Sequence, residues 1–229
     1  MRGDGTRDDL NVTYTGNVSL GGPADVRALT HLTISKIEVG PHSNNAYLLR
    51  CNTTGAQALI DAANDAAVLL DLAGQDGLAA VITTHGHVDH WYALADVVSA
   101  TGARTVAHDQ DAGYLPVPTD ERVSHGDTIS FGEIVLTAIH LVGHTYGSIA
   151  LVYDDPTGPP HLFTGDSLFP GGVGRTWDEP ARFASLYSDV VEKIFNSLPD
   201  ETWVYPGHGR DTTLGAERPD LADWWARQW

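Results

Sequence analysis

Lysine is almost missing from this chain. Two, Lys36 and Lys193, stand among 229 residues that carry 30 acidic side chains and a formal net charge of −17. With no basic stripe to offset that charge, binding to nucleic acid or to an anionic membrane is disfavoured. Cysteine occurs once, as Cys51, so no internal disulfide can form. Its place in a strand-like stretch, residues 45–51, reads as packing rather than reactivity. No run of 18 apolar residues exists, which argues against a transmembrane helix. Residues 1–9 lack an apolar h-region, so no secretory signal is expected. Residues 1–20 read as a flexible segment ahead of one domain over residues 21–229. These absences lead to the expectation of a cytoplasmic protein that engages neither nucleic acid nor membrane. They leave the oligomeric state open.

What the chain does have is a concentration of metal-ligand side chains in Thr83-Thr84-His85-Gly86-His87-Val88-Asp89-His90. This stretch follows an apolar run, residues 78–82, that reads as a buried strand, and residues 89–100 read as the helix after it. On an extended backbone, residues two apart face the same side, so His85 and His87 can converge on one ion. Asp89 and His90, at the helix start, can face a second. Imidazole with carboxylate suits zinc, and also iron or manganese. Three more donors, His144, Asp166 and His208, follow strand-like runs in glycine-containing loops, where rigid scaffolds present active-site groups. Together they fit a simple count: two ions with three private ligands each, one shared carboxylate, and one shared position for water.

Elsewhere, residues 32–39, 46–50 and 56–61 read as successive strands, residues 64–73 as a helix, and residues 105–107 and 149–153 as further strands. Residues 123–140 read as a hairpin with turns at Gly126-Asp127 and Gly132-Glu133. The glycine-rich residues 168–176 are expected to be loop. Pro180 suits a first helical position, and residues 181–198 repeat apolar side chains at helical spacing, with the apolar face as core. A last helix over residues 220–227 carries Trp224 and Trp225, which with Trp229 read as sealing a core edge. The pattern predicts mixed α and β, with sheets covered by helices.

The motifs His85-Gly86-His87-Val88-Asp89-His90, Gly143-His144-Thr145, Gly165-Asp166-Ser167-Leu168-Phe169 and Pro206-Gly207-His208-Gly209 resemble those of the metallo-β-lactamase superfamily. Within it they are most similar to the short glyoxalase II-like hydrolases, and the match runs from about residue 32 to residue 209. The resemblance implies an α/β fold, a four-layer αββα sandwich, with two divalent metal ions at one edge. It implies His85, His87 and His144 on the first ion, Asp89, His90 and His208 on the second, and Asp166 bridging. Zinc is the expected metal, with iron, mixed iron/zinc or manganese as alternatives. His140 has no ligand role in the pattern, and His31, His42, His108, His125 and His161 read as surface or hydrogen-bonded histidines. The true zinc β-lactamases lack a bridging aspartate at that point. The resemblance therefore points to the thioesterase, lactonase and phosphodiesterase branches rather than to antibiotic hydrolysis.

Two ions about 3.5–4 Å apart share one water and lower its pKa towards neutrality. The expected reaction is hydrolysis of a small acyl thioester, a hydroxyacylthiol hydrolase activity. Metal-bound hydroxide is the nucleophile, and Asp89 is the catalytic residue that orients it. The two ions outweigh the charge of Asp89, Asp166 and a hydroxide, so the small-molecule substrate can itself be anionic. Arg175 matches a Gly-Arg-Thr step of similar proteins and is a candidate either to bind a substrate carboxylate or to brace its loop. Tyr146 and Asn45 are candidate pocket residues. The loop's common cysteine is Val173 here. Glutathione-dependent thioesterases of the family add a C-terminal helical domain, whereas 21 residues follow His208 here, so weak selectivity for the thiol half is expected. Three alternatives stay open. One is a mononuclear iron persulfide dioxygenase, against which the step Trp177-Asp178 counts, since those enzymes resemble Thr-Asp-Phe there. The others are a lactonase of the same fold and a non-catalytic metal-bound binding module.

Overall fold

The computed structural model describes residues 14–228. Seven strands lie in sequence order in one sheet: β1 (Asp25–Ala28), β2 (Leu32–Val39), β3 (Asn44–Cys51), β4 (Gln57–Ile60), β5 (Ala80–Ile82), β6 (Arg104–His108) and β7 (Glu121–Val123). The chain then enters a second sheet through β8 (Thr128–Phe131), β9 (Ile134–His140), β10 (Ile149–Tyr153) and β11 (His161–Gly165). A small hairpin, β12 (Leu168–Phe169) and β13 (Gly172–Val173), intervenes before β14 (Trp203–Pro206) and β15 (Thr212–Thr213). The second sheet has the order β15-β14-β11-β10-β9-β8. The α-helices are α1 (Ala66–Ala73), α2 (Leu94–Thr101), α3 (Asp109–Ala112), α4 (Pro180–Val190), α5 (Leu214–Glu217) and α6 (Leu221–Arg227).

Strand alternation builds the layers. In β10, Ile149, Leu151 and Tyr153 join Leu32, Ile34, Leu49 and Ile60 of the other sheet in a central core. Ala150 and Val152 point the opposite way, into a second core with Phe183, Leu186 and Val190 of α4 and Trp224 of α6. On the far side, Ile37, Val39, Leu48 and Leu59 pack under Leu69 of α1 and Leu94 and Val97 of α2. Three cores separate four layers, so the fold is the αββα sandwich that the motifs imply. Strands buried on both faces, such as β5 and β10, carry unbroken apolar runs for this reason.

Strand direction then fixes where the loops meet. β4, β5 and β6 run parallel, so their C-terminal ends share one edge. β11 and β14 are also parallel to each other, and β10, antiparallel to β11, begins where β11 ends. The loops after β4, β5, β11 and β14 and the loop before β10 therefore converge. Backbone bonds lock the two sheets together there: Ile149 N donates to Thr84 O at 2.9 Å and Asn45 N to Gly207 O at 2.8 Å.

Several local expectations change. The helix expected from residue 89 begins as a single 3-10 turn, Val88–His90, and α2 starts at Leu94. The turn at Gly126-Asp127 is a crossover between sheets, because β7 pairs with β6 while β8 and β9 form the hairpin. The loop expected at residues 168–176 contains the β12–β13 hairpin. The helix expected to residue 198 widens into a π-turn at Val191–Phe195. Trp224 is fully buried as expected, whereas Trp225 is half exposed against Tyr187 and Phe183; Trp229 lies outside the described residues. Of the segment expected to be flexible, residues 1–13 lie outside the described residues. From residue 14 on the chain is tied down: Tyr14 packs on Trp203 and hydrogen-bonds Asp211, and Gly16 O accepts from the buried Lys36 Nζ. No helix of the described residues is long and apolar enough to cross a membrane.

Candidate metal centre

All seven donors named from the sequence meet at the convergent edge. His85, His87 and His144 form one cluster, and Asp89, His90 and His208 form a second. In the first, His85 Nε2 lies 3.0 Å from His87 Nδ1, His87 Nδ1 lies 3.0 Å from His144 Nε2, and His144 Nε2 lies 3.2 Å from His85 Nε2. In the second, His90 Nε2 is 3.3 Å from His208 Nε2, and Asp89 Oδ2 is 3.5 Å from the latter. Asp166 stands between. Its Oδ1 is 3.4 Å from His90 Nε2, and its Oδ2 is 3.6 Å from His144 Nε2 and 3.5 Å from His208 Nε2.

The partner on the other nitrogen of each ring orients it. His144 Nδ1 donates to Arg175 O at 2.8 Å, and His208 Nδ1 to His42 O at 3.0 Å. His90 Nδ1 donates to Asp61 Oδ2 at 2.8 Å. Thr84 Oγ1 donates to the same Asp61 Oδ2 at 2.8 Å, which leaves it to accept from His85 Nδ1 at 3.1 Å. Each Nε2 of these four rings is thereby turned inward towards the other donors, as in histidines that ligate metals.

Electrostatics divides the clusters. Burial, helped by neighbouring histidines, keeps His85 well below the usual imidazole range, His87 below it, and His144 down at about 4. In the second cluster burial acts the same way but is overcome. Asp166 and Asp61 hold His90 well above its usual value, and hydrogen bonds to Asp166 and Asp89 raise His208 to about 9. The carboxylates respond in kind. His208, against burial and then with His90 and Asn44, holds Asp89 below the usual range. Burial would raise Asp166, but His90 and the bonds to His208 keep it well below.

The donor set fits cations. Three neutral imidazole nitrogens face one another at about 3 Å, and with His85 and His144 donating from Nδ1 only His87 could place a hydrogen among them. Asp166 Oδ1 is buried without a hydrogen-bond partner, a cost that an ion would remove. Gly207 keeps the room open: a Cβ there would meet Asp166 Oδ1 at 2.2 Å and His90 Cε1 at 2.7 Å.

Other expectations divide. Tyr146 lines a cavity of about 280 Å³ beside His87 and His144, together with Tyr114, Trp177 and Arg182. Arg175 is exposed, its guanidinium 4.7 Å over the Trp177 ring. Asn45 is a correction. It is 1% exposed and its amide donates to Pro206 O and Gly209 O, so it braces the His208 loop instead of lining the cavity. The next residue back faces the donors: Asn44 Nδ2 donates to Asp89 Oδ2 at 3.1 Å. One step along a strand reverses the side chain.

Further residues near the centre have roles that were not assigned from the sequence. Asp61 follows β4 at φ 59 and accepts from Thr84 N as well as from Thr84 Oγ1 and His90. A carboxylate directly after the apolar Ala58-Leu59-Ile60 is the signal that could have found it. Asp111, 2% exposed, accepts from Gly86 N, Thr145 Oγ1 and Gly147 N, so it pins the His85–His87 loop to the His144 loop. Arg182 donates from Nε to Gly143 O and from Nη2 to His144 O. Trp177 has φ 60 and stands edge-on to His87 at 5.6 Å.

The family model described as "Metallo-beta-lactamase superfamily" matches residues 39–208. A hydroxyacylglutathione hydrolase of Fuscovulum blasticum is 36% identical over 183 residues, which cover 79% of this chain and 67% of that protein. The chain spans 62% to 67% of the length of the hydroxyacylglutathione hydrolases it matches. Among solved structures, the BLEG-1 B3 metallo-beta-lactamase superposes with a TM-score of 0.73 at 26% identity, covering 81% of this chain and 96% of that one. TTHA1623 in a di-iron-bound form superposes with a TM-score of 0.64 at 36% identity, over 80% and 96%.

Proposed function

The chain belongs to the metallo-beta-lactamase superfamily, and on that premise we propose that it is a dinuclear metal-dependent hydrolase of small acyl thioesters, a hydroxyacylthiol hydrolase. The reach of Asp166 carries this reading: one carboxylate lies within 3.6 Å of ring nitrogens from both donor clusters. In this reading His85, His87 and His144 hold one divalent ion, Asp89, His90 and His208 hold another, and Asp166 is shared. Zinc suits the set, and iron or manganese suits the same donors.

Bound there, two ions would supply Lewis acidity towards a carbonyl oxygen and a water of lowered pKa. The side chains do the rest. Asp89, ionised and 26% exposed at the mouth, orients the attacking water. The cavity bordered by Tyr146 and Trp177 receives one half of the ester. The water oxygen bonds to the acyl carbon and the C–S bond breaks. One proton of the water leaves with the thiol, and the other passes to solvent.

Metal analysis of loaded protein is expected to return two ions per chain. Assays on 2-hydroxyacyl esters of several thiols, with lactones, glutathione persulfide and a β-lactam alongside, are expected to give turnover on the thioesters. A single ion with oxygen-dependent persulfide consumption would make the chain a dioxygenase. Lactone opening alone would make it a lactonase, and metal binding without turnover a binding module.

A further inference from the structure

Large aromatic side chains are costly to leave in water, and they collect where burial is available. Yet Tyr114, Tyr146 and Trp177 are 65%, 60% and 41% exposed. All three line a cavity that touches His87 and His144. Three solvated rings around a single opening, directly beside the donor clusters, are surface waiting to be covered.

The rings are held in place. Trp177 and Asp178 adopt φ values of 60 and 58, a left-handed pair without glycine. Such strain persists where the surroundings impose it and is typical of ligand clamps. The Trp177 ring lies at 24° to His144 with centroids 6.3 Å apart, and Arg175 sits over it at 4.7 Å. Tyr146 lies 5.5 Å from Arg182, whose guanidinium is fixed on the carbonyls of Gly143 and His144.

Size and chemistry narrow the occupant. An apolar cavity of about 150 Å³ takes up benzene, so one of about 280 Å³ takes a single ring with a few attached atoms. The two charged side chains around it, Asp111 and Arg182, are already engaged. Asp111 accepts three hydrogen bonds from the loops, and the Arg182 donors Nε and Nη2 are spent on backbone. Besides the tyrosine hydroxyls, the three rings present π surface, which gains most from another ring in offset or edge-to-face contact.

Resting on the thioesterase reading above, we propose that the substrate carries a flat aromatic ring that fills this cavity while its ester carbonyl lies at the donor clusters. The ring can belong to the acyl half or to the thiol half, and the test separates these. Three thioesters are compared on the metal-loaded enzyme: lactoyl on an aliphatic thiol, mandeloyl on the same thiol, and lactoyl on benzyl mercaptan. One ring-bearing ester is expected to exceed the ring-free ester in kcat/KM by about tenfold or more. Trp177→Ala is expected to bring that ratio close to one, Trp177→Phe to restore most of it, and Tyr146→Ala to lower it. Tyr92→Ala, at an exposed tyrosine outside the cavity, is expected to keep the ratio. In parallel, NMR titration of the protein with mandelate, benzyl alcohol and lactate is expected to give tighter binding of the ring compounds that depends on Trp177. Ring-bearing esters no better than the ring-free one in either half would overturn the proposal, as would Trp177→Ala lowering all three esters equally. If no ester is turned over, the thioesterase reading falls. The ring site then stands or falls on the titration alone, with equal binding of lactate and mandelate rejecting it.

Discussion

The two donor clusters sit side by side and share Asp166, yet they are built on opposite terms. The His85, His87 and His144 cluster is all imidazole, and burial keeps its rings neutral. It meets a cation with its lone pairs already free. The Asp89, His90 and His208 cluster balances charge internally, with His90 and His208 raised by the carboxylates they face. An ion entering it displaces protons, whereas an ion entering the first displaces none. The supports differ too. Asp111 ties together the two loops of the first cluster. Asp61 and Asn44 hold the second, and Asp61 reaches the first only through Thr84. One site can therefore be perturbed in halves.

The largest effect is expected where the halves join. Asp166→Ala removes a carboxylate that faces both clusters, and its cost in activity is expected to exceed the roughly 10–100-fold typical of losing an outer partner of a ligand. Metal content should fall less steeply than turnover, because each cluster keeps its private donors. Near wild-type turnover with a full metal complement would remove Asp166 from the shared position.

Next come the two single-cluster deletions. His144→Ala and His208→Ala are each expected to reduce well-loaded protein from two ions to one per chain, and the double variant to bind neither ion tightly. The comparison sharpens if the remaining ion differs in pH dependence. With the His144 cluster left alone, uptake should be the less sensitive to acid. Loss of both ions in either single variant would mean that the clusters are one cooperative unit.

A smaller effect is expected from the supports. Asp111→Asn keeps the shape but loses part of the acceptor set for Gly86 N, Thr145 Oγ1 and Gly147 N. It should weaken metal at the His85–His87–His144 cluster by about 10–100-fold and leave the other cluster near wild type. Asp61→Asn should weaken both, since its oxygens serve His90 directly and His85 through Thr84. Equal losses at both clusters in Asp111→Asn, measured by competitive chelation with the fold monitored by circular dichroism, would show that Asp111 acts on the fold as a whole.

How far the sequence could reach follows from which residues act alone. The seven donors were legible because ligand types crowd short motifs at strand ends, and periodicity was enough for most strands. The supports were not, because their roles depend on pairing across the chain. Asp111 lies 25 residues from Gly86 and 36 from Gly147. Asn44 and Asn45 are indistinguishable until register decides which one faces the donors. The crossover at Gly126-Asp127 carries the same turn signal as a hairpin, and only sheet membership separates them. Trp177 was visible as a departure from the family's step, but its ring position follows from a left-handed backbone that no local preference predicts.

The smallest expected effect separates burial from ligation. His161 begins β11, the strand whose other end leads to Asp166, and it belongs to neither cluster. Burial first, and Arg27 second, push it down to about 4, a value shared with His144. Tyr205 OH accepts from Arg27 Nη1 at 3.0 Å and donates to His161 Nδ1 at 2.8 Å, so a proton on that nitrogen would break the chain of bonds. A histidine depressed in the folded state stabilises the protein fully above its unfolded value near 6.5, and that contribution is lost as pH falls towards 4. Over this window the wild type is expected to lose on the order of 2–3 kcal/mol relative to His161→Gln, whose side chain does not titrate. Urea unfolding of both proteins at pH 7.5, 5.5 and 4.5, with metal removed, reads the difference directly, and the titration of the cluster histidines cancels between them. Parallel stability profiles would mean that the Arg27–Tyr205–His161 chain adapts to the proton, and that burial alone does not keep a histidine of this protein neutral.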